Sequence, residues 1–213
     1  MNFVVIKFNE LIKIIYLFLG INAILLGIIY GIDYAFELNL NIFRSIGTLI
    51  AISLIIFGFL LRTVTIKHRI LTHIIGKPVI HGLWKGQLTS NFEVEGKPIP
   101  PIEIYFYIKQ TFLITTIKSF TPYIASESII TALFHDEDSE TTDFYYIYKF
   151  YRTKNNENKV TFGAGKLRLS NDSQTLEGNY WTTVHTCGDI ELHLINSDCT
   201  SIDSYQMAQK YDI

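Results

Sequence analysis

Residues 176–192, LEGNYWTTVHTCGDIEL, carry the pattern that decides the fold. Side chains alternate with a period of two on both sides of the turn signal HTCGD, which predicts two antiparallel β-strands. The first of them places Asn179, Tyr180, Trp181, Thr182 and Thr183 side by side. So many rings and hydroxyls are unusual for an ordinary core, and they favour a wall that binds a small polar ligand.

The period of two extends upstream to Ile80, and turn signals separate most of the segments. Ile, Tyr, Phe, Thr and Val are frequent in them, as expected for strands. Eight short strands at this spacing predict a small closed antiparallel barrel, with a sandwich as the alternative. The predicted strands are 80–90, 102–111, 112–119, 124–134, 144–153, 160–169, 176–184 and 188–195.

Aromatic residues are unusually frequent in the predicted barrel. One face of the fifth strand carries Phe144, Tyr146, Tyr148 and Phe150 and ends in Arg152, and the chain has 13 tyrosines in all. Each buried tyrosine hydroxyl needs a hydrogen-bond partner, so packing alone is a poor explanation for the set. Rings stack on flat bases and Arg binds phosphate oxygens, which indicates a nucleotide-like ligand.

Two uncharged runs precede the strands, at 14–32 and 45–61. Each is close to the length that crosses a hydrocarbon core of roughly 30 Å. A signal peptide is the alternative for the first run, but no small-residue cleavage site follows it. The predicted organisation is an all-β, membrane-anchored chain: a transmembrane hairpin at 1–63 with spans at about 12–32 and 45–62, a connector at 64–79, a barrel at 80–196 and a tail at 197–213.

Flanking charges predict the orientation of the hairpin. Lys7 and Lys13 precede the first span, and Arg62 and Lys67 follow the second. The positive-inside rule then places both termini in the cytoplasm of a multi-pass membrane protein. The connector shows the spacing of an amphipathic helix with a basic face, and a continuation of the second span is the alternative.

Small residues recur every four positions in both runs, and this spacing allows helix backbones to approach closely in lipid. The stripe either packs the two spans of one chain together or also joins protomers. Its members are Ala23, Gly27 and Gly31 in the first run and Gly47 and Ala51 in the second.

Motifs of catalysis and metal binding are missing from the sequence. No nucleophile elbow, zinc-protease helix or P-loop occurs, so we expect no catalytic residues and no enzyme. The glycines of GAG at 163–165 indicate a strand kink or a close backbone approach. His185, Cys187, His193 and Cys199 match no common zinc spacing, and the two cysteines form no disulfide scaffold. We expect no metal and no cofactor.

Five segments together resemble a known family: GLWKGQLTS, FLITTIKSF, FYYIYKFYRT, VTFGAGKLRLS and LEGNYWTTVHTCGDIELHL. With two short N-terminal spans, they are similar to the two-transmembrane, β-strand-rich effectors associated with nucleotidyltransferases of bacterial cyclic-oligonucleotide anti-phage defence (CBASS). The resemblance covers nearly the whole chain.

This resemblance implies a function. In such effectors a minimal β-barrel binds a cyclic di- or oligonucleotide made by a partner nucleotidyltransferase or cyclase. Binding promotes homo-oligomers that disrupt the lipid of the inner membrane and cause abortive infection. In related systems the nucleotide instead holds the effector silent until phage decoys remove it, and the sequence leaves this sign open.

Ligand-binding roles carry over to the positions within the matching segments: Trp84, Tyr148, Tyr151, Arg152, Tyr180, Trp181, Thr182 and Thr183, with Lys118, Ser126 and Lys166 in reserve. The formal charge of −2 and the pI near 6.3 argue against DNA or RNA as a partner. An alternative of another class is a membrane-tethered, lipocalin-like barrel for an apolar ligand. The GLW segment at 82–84 is similar to the way in which such barrels close one end with a Trp.

Overall fold

The computed structural model describes residues 5–37, 41–66, 76, 78–136, 138–152 and 159–212. Side chains of residues 42–44, 151, 152 and 159 are outside that description. The chain separates into two compact units, one of residues 6–64 and one that holds the remainder. Each unit is described by itself. Most of the predicted amphipathic connector, residues 67–75 and 77, lies outside the described residues.

Two long helices form the first unit, α1 (Phe8–Phe36) and α2 (Ile42–Thr63). Helix α1 starts with a capping box, in which the Glu10 carboxylate accepts from the Lys7 amide at 3.2 Å. It ends at Glu37, whose left-handed φ of 50° stops the helical repeat. Both helices are long and apolar enough to cross a membrane.

Contacts between the two helices involve a polar pair and an aromatic pair. Ser53 Oγ donates to Asn22 Oδ1 at 2.6 Å, and both side chains are buried. The rings of Phe18 and Phe57 lie 5.3 Å apart. A polar pair has few other partners in an apolar environment, so it favours one pairing of the helices.

Eight strands of the second unit close into an antiparallel barrel, as the sequence predicted, and the sandwich alternative is excluded. The order is β1-β10-β9-β8-β7-β6-β5-β4, a meander in which chain neighbours pair and β1 pairs with both β4 and β10. The strands are β1 (Gly82–Leu88), β2 (Glu93–Val94), β3 (Lys97–Pro98), β4 (Ile102–Gln110), β5 (Thr115–Phe120), β6 (Ala125–Asp136), β7 (Thr141–Arg152), β8 (Lys159–Leu169), β9 (Thr175–Thr182) and β10 (Cys187–Asn196).

A small hairpin outside the barrel was not predicted. Strands β2 and β3 pair around Glu95 and Gly96, which have φ angles of 53° and 73°. Two consecutive positive φ values are typical of a tight hairpin turn. Two-residue strands are too short to show a period in the sequence.

One end of the barrel is filled by side chains. Trp84 is fully buried, and its Nε1 donates to the Ile80 carbonyl at 3.0 Å. Gln110 fixes the same segment, because its Oε1 accepts from the Ile80 amide and its Nε2 donates to the Pro78 carbonyl. The chain enters the barrel unit at this closed end, where Thr65 bridges Thr111.

The predicted C-terminal tail packs on the outside of the barrel. Residues 197–212, here called the strap, include helix α3 (Tyr205–Gln209) and cover strands β1, β4 and β5. A second apolar core lies beneath the strap, built from Leu83, Tyr105, Tyr107, Phe120, Cys199, Ile202 and Ala208. Lys85 pairs with Asp212 and Glu103 at its edge. Cys187 is exposed, Cys199 is buried, and the two are not joined by a disulfide.

Candidate functional site

The open end of the barrel contains a cavity of about 250 Å³. Its walls come from strand ends, including Leu88, Ile102, Phe150 and Thr182. Tyr123 is largely exposed and marks the mouth, at the end of the barrel opposite to Trp84. The lining is mostly apolar with a set of hydroxyls, which is the usual composition of a small-molecule site.

A ladder of four rings on the inner face of β7 forms one wall of this end of the barrel. Phe144, Tyr146, Tyr148 and Phe150 succeed one another with ring centroids 5.6–6.2 Å apart and interplanar angles of 20–31°. Phe106 of β4 meets Tyr146 edge-on at 5.8 Å. Aromatic rings are also the groups on which nucleobases stack in proteins.

The glycines of β8 make room for the ladder. A Cβ at Gly165 would lie 2.5 Å from Cζ and from Oη of Tyr146, and one at Gly163 would lie 2.5 Å from Oη of Tyr148. The two tyrosines therefore lie across β8, where any larger residue would displace them. This is the close approach that the GAG segment indicated.

Two pairs of hydroxyls face each other across the mouth. Ser119 and Ser126 join β5 to β6 with oxygens 2.6 Å apart, and the oxygens of Thr182, at the end of β9, and Thr186, just before β10, lie at the same distance. The strand order places these two pairs on opposite sides of the barrel. One O–H of each pair is used within the pair, and the other can be donated to a ligand.

The described part of the cavity lining carries no charged side chain. Burial raises the pKa of Tyr146, Tyr148 and Tyr180 above the ordinary range of tyrosine. These hydroxyls therefore stay protonated at physiological pH and act as neutral hydrogen-bond donors. Within the described residues, no cluster of three or more His, Cys, Asp or Glu is arranged to hold a metal ion.

Three of the predicted ligand-binding residues meet at the cavity, namely Tyr148, Tyr180 and Thr182. Trp84 lies in the filled end of the barrel, where it is fully buried. Trp181 points outward, and Thr183 bonds the Phe162 backbone at the surface. The predicted contacts Tyr151 and Arg152 stand at the end of β7 nearest to the mouth, and their side chains lie outside the described residues.

Other residues at the cavity were not predicted, or only in reserve. Tyr146, Ser119 and Thr186 line it, and so does Ser126 from the reserve set. Tyr146 shares the inner face of β7 with Tyr148, so the period of two was a sufficient signal for it. Of the other reserves, Lys118 is exposed and Lys166 pairs with Asp143 at 3.0 Å on the outer surface.

An exposed apolar surface, here called the outer patch, lies on β6–β9. Ile130, Ile147, Ala164 and Trp181 are successive cross-strand partners. Trp181 is 51% and Ile147 42% exposed. Contiguous exposed apolar surface of this kind is a mark of interaction sites. The remaining members of the patch are Phe134, Tyr145 and Phe162.

The small residues of the predicted transmembrane stripe are all exposed: Ala23, Gly27, Gly31, Gly47 and Ala51. A Cβ added at any of these three glycines would have no neighbour within 4 Å in the part of the chain that the structure describes. At the glycines, then, the stripe does not pack α1 against α2 within one chain.

Comparison with known families identifies the barrel. The family model described as "Cap15, cyclic dinucleotide receptor domain" matches residues 75–194, more than half of the chain. No curated protein matches the chain. The match spans all eight barrel strands almost to the end of β10 and confirms the resemblance drawn from the sequence. The chain belongs to the family of Cap15 cyclic dinucleotide receptor domains, which serve as sensors in CBASS effectors.

Proposed function

We propose that this chain binds a cyclic dinucleotide in the open-end cavity and that binding drives self-association and disruption of the bacterial inner membrane. The observation that carries the proposal is the cavity itself. A stacked ring ladder lies beside two opposed hydroxyl pairs, in a barrel of the cyclic dinucleotide receptor family. A cyclic dinucleotide presents bases for stacking and two opposed phosphates for hydrogen bonds.

The hydroxyl pairs are proposed phosphate contacts. They lie on opposite sides of the barrel, and the two phosphates of a cyclic dinucleotide lie on opposite sides of its ring. Arg152 and Tyr151 are retained as contacts from the sequence pattern alone. Trp84, Trp181 and Thr183 are proposed to support the barrel and its surface instead of touching ligand, because the structure places them away from the cavity.

The binding test uses the full chain in detergent micelles. We expect a cyclic dinucleotide from a panel of cyclic di-AMP, cyclic di-GMP, cyclic di-UMP and their mixed rings to raise the melting temperature. The matched linear dinucleotides serve as controls, because they carry the same bases and charge without the ring. If no cyclic dinucleotide of the panel changes the melting temperature, the proposal is refuted. If only lipids raise the melting temperature, the lipocalin-like alternative is established.

Self-association is proposed to use the outer patch. The five large side chains of the patch are roughly 40–50% exposed. A side chain of this size has a total surface of about 200 Å², so the patch exposes roughly 400 Å² in all. One partner of a stable interface buries about 800 Å². The outer patch alone is therefore too small for permanent association, which suits contact that depends on ligand and on the apolar helices.

Tryptophan fluorescence tests this contact. The chain has two tryptophans, and subtracting the spectrum of a Trp181→Phe variant isolates the signal of Trp181. Ligand-driven association through the patch is expected to shift this emission to shorter wavelength. An Ile147→Lys variant should bind ligand and remain monomeric in sedimentation. Association with unchanged Trp181 emission would place the interface elsewhere.

Experiments in cells test membrane disruption and whether the ligand activates or inhibits it. Expression of the chain with a cyclase that makes its ligand is expected to permeabilise the inner membrane to a small dye. Expression of the chain alone is expected to be harmless. Toxicity without the cyclase, relieved by the cyclase, would contradict activation and would establish the inhibitory alternative.

A further inference from the structure

The environment of Tyr146 indicates how a ligand enters the barrel. The Tyr146 ring lies in the middle of the ladder, and its side chain lines the cavity. Its hydroxyl lies against Gly165 of β8, where it is buried without a hydrogen-bond partner among the described residues. A buried hydroxyl left unpaired is costly, so such groups usually bind something. The hydroxyl pairs at the mouth are already bonded within themselves, which sets Tyr146 apart.

The size of the cavity limits what can reach this hydroxyl. A volume of about 250 Å³ corresponds to roughly eight water molecules at liquid density. This is enough room for one heterocyclic base, and it is smaller than a whole cyclic dinucleotide. The ring of sugars and phosphates must therefore remain at or above the mouth.

Electrostatics points to the same orientation. Transfer of a phosphate anion into an apolar interior without a paired cation is very unfavourable. The described lining of the interior has no charged side chain, whereas the hydroxyl pairs lie near the exposed rim. A neutral base can enter the interior, and the phosphates keep contact with water and hydroxyls.

From these observations we infer that the ligand inserts one nucleobase into the barrel and that the Tyr146 ring shifts from β8, so that its Oη donates a hydrogen bond to an acceptor on the edge of that base. The inference rests on the proposed function and adds a specificity-determining residue to it. The base stacks near the ring ladder, and its identity is recognised by whether an acceptor lies opposite the hydroxyl. Burial raises the pKa of Tyr146, so its hydroxyl keeps its proton and can donate it to an acceptor on the base.

The test compares Tyr146→Phe with Tyr211→Phe in the full chain. Both variants lose one hydroxyl, but Tyr211 lies in the strap, outside the cavity and the outer patch. The probe is the member of the cyclic dinucleotide panel that raises the melting temperature most. Tyr146→Phe is expected to weaken binding about tenfold or more, and Tyr211→Phe by less than about twofold.

A second measurement separates recognition from a general loosening of the site. The parent chain should bind its preferred cyclic dinucleotide more tightly than one with a different base, and in Tyr146→Phe the ratio of these two affinities should fall towards one. The melting temperature without ligand should stay equal or rise, because an unpaired buried hydroxyl has been removed. Affinity of Tyr146→Phe within about twofold of the parent would overturn the inference. If no ring binds the parent chain, the proposed function fails first.

Discussion

Replacement of Gly165 by Ala tests whether the ring ladder depends on the glycines of β8. The new methyl group would lie 2.5 Å from Cζ and Oη of Tyr146 and 2.7 Å from Cε1, whereas ordinary contact begins near 3.4 Å. The Tyr146 ring would have to move by roughly 1 Å. Its neighbours in the ladder and Phe106 hold it on three sides, so this movement is resisted.

The magnitude follows from two opposing effects. Overpacking a well-packed interior costs about 1–3 kcal/mol. Replacing a glycine in a strand by alanine contributes about 0.5–1 kcal/mol of stability through backbone entropy. The net expectation is a loss of about 1–2 kcal/mol, which lowers the melting temperature by about 2–8 °C for a unit of this size.

The assay is thermal unfolding of the full chain in detergent, followed by near-ultraviolet circular dichroism, which reports on the packed rings. The matched control places Gly165→Ala in a Tyr146→Leu background, where the methyl group has room. There the same substitution is expected to be neutral or stabilising, so the two backgrounds differ in sign. Equal effects in both backgrounds, or a stabilised single variant, would refute the role assigned to the glycines.

Three further predictions concern other parts of the molecule. Asp143 accepts hydrogen bonds from Arg168 and Lys166, which lowers the pKa of its carboxyl. Asp143→Asn should therefore lower the melting temperature near pH 7, and the difference from the parent chain should vanish as the pH falls through the lowered pKa. A difference in melting temperature that persists at about pH 2 would contradict the pairing. Ile202→Ala, beneath the strap, should cost about 2–5 kcal/mol in chemical unfolding while exposed Asp203→Ala costs almost nothing, and equal losses would argue against a packed strap. A chain with leucine at both stripe glycines of α1 should bind ligand normally and lose toxicity; undiminished killing would show that the stripe is not the assembly face.

The barrel and its strands could be predicted because their periods are long and regular. The period alone could not decide which face of each strand lies inside the barrel. On β9, Tyr180 and Trp181 lie on opposite faces, and both were predicted to bind ligand. The presence of Glu177 and Asn179 on the same face as Trp181 was the physical signal that this face is outside, because charged side chains avoid a barrel interior.

Other features depend on contacts that no local pattern shows. Helix α3 has five residues, too few for a helical period, and it is stable because the strap buries Ile202 and Ala208 against β1 and β4. The unpaired hydroxyl of Tyr146 follows from the packing of three strands around one ring. Sequence reasoning could place Tyr146 on the ladder face, but it could not show that its hydroxyl lacks a partner.

The wall of the barrel that lines the cavity is also the wall that carries the outer patch. On β7, Tyr146 and Tyr148 face inward while Tyr145 and Ile147 face outward, and Tyr180 and Trp181 divide in the same way on β9. The strap covers the other side of the barrel, at β1, β4 and β5, and braces it. A base that displaces the ring ladder would therefore move strands β7 to β9, which the strap does not cover. The outer patch lies on the outer face of these same strands. Ligand can bias association only through different affinities for two arrangements of the protein, and this wall is the element in which those arrangements can differ.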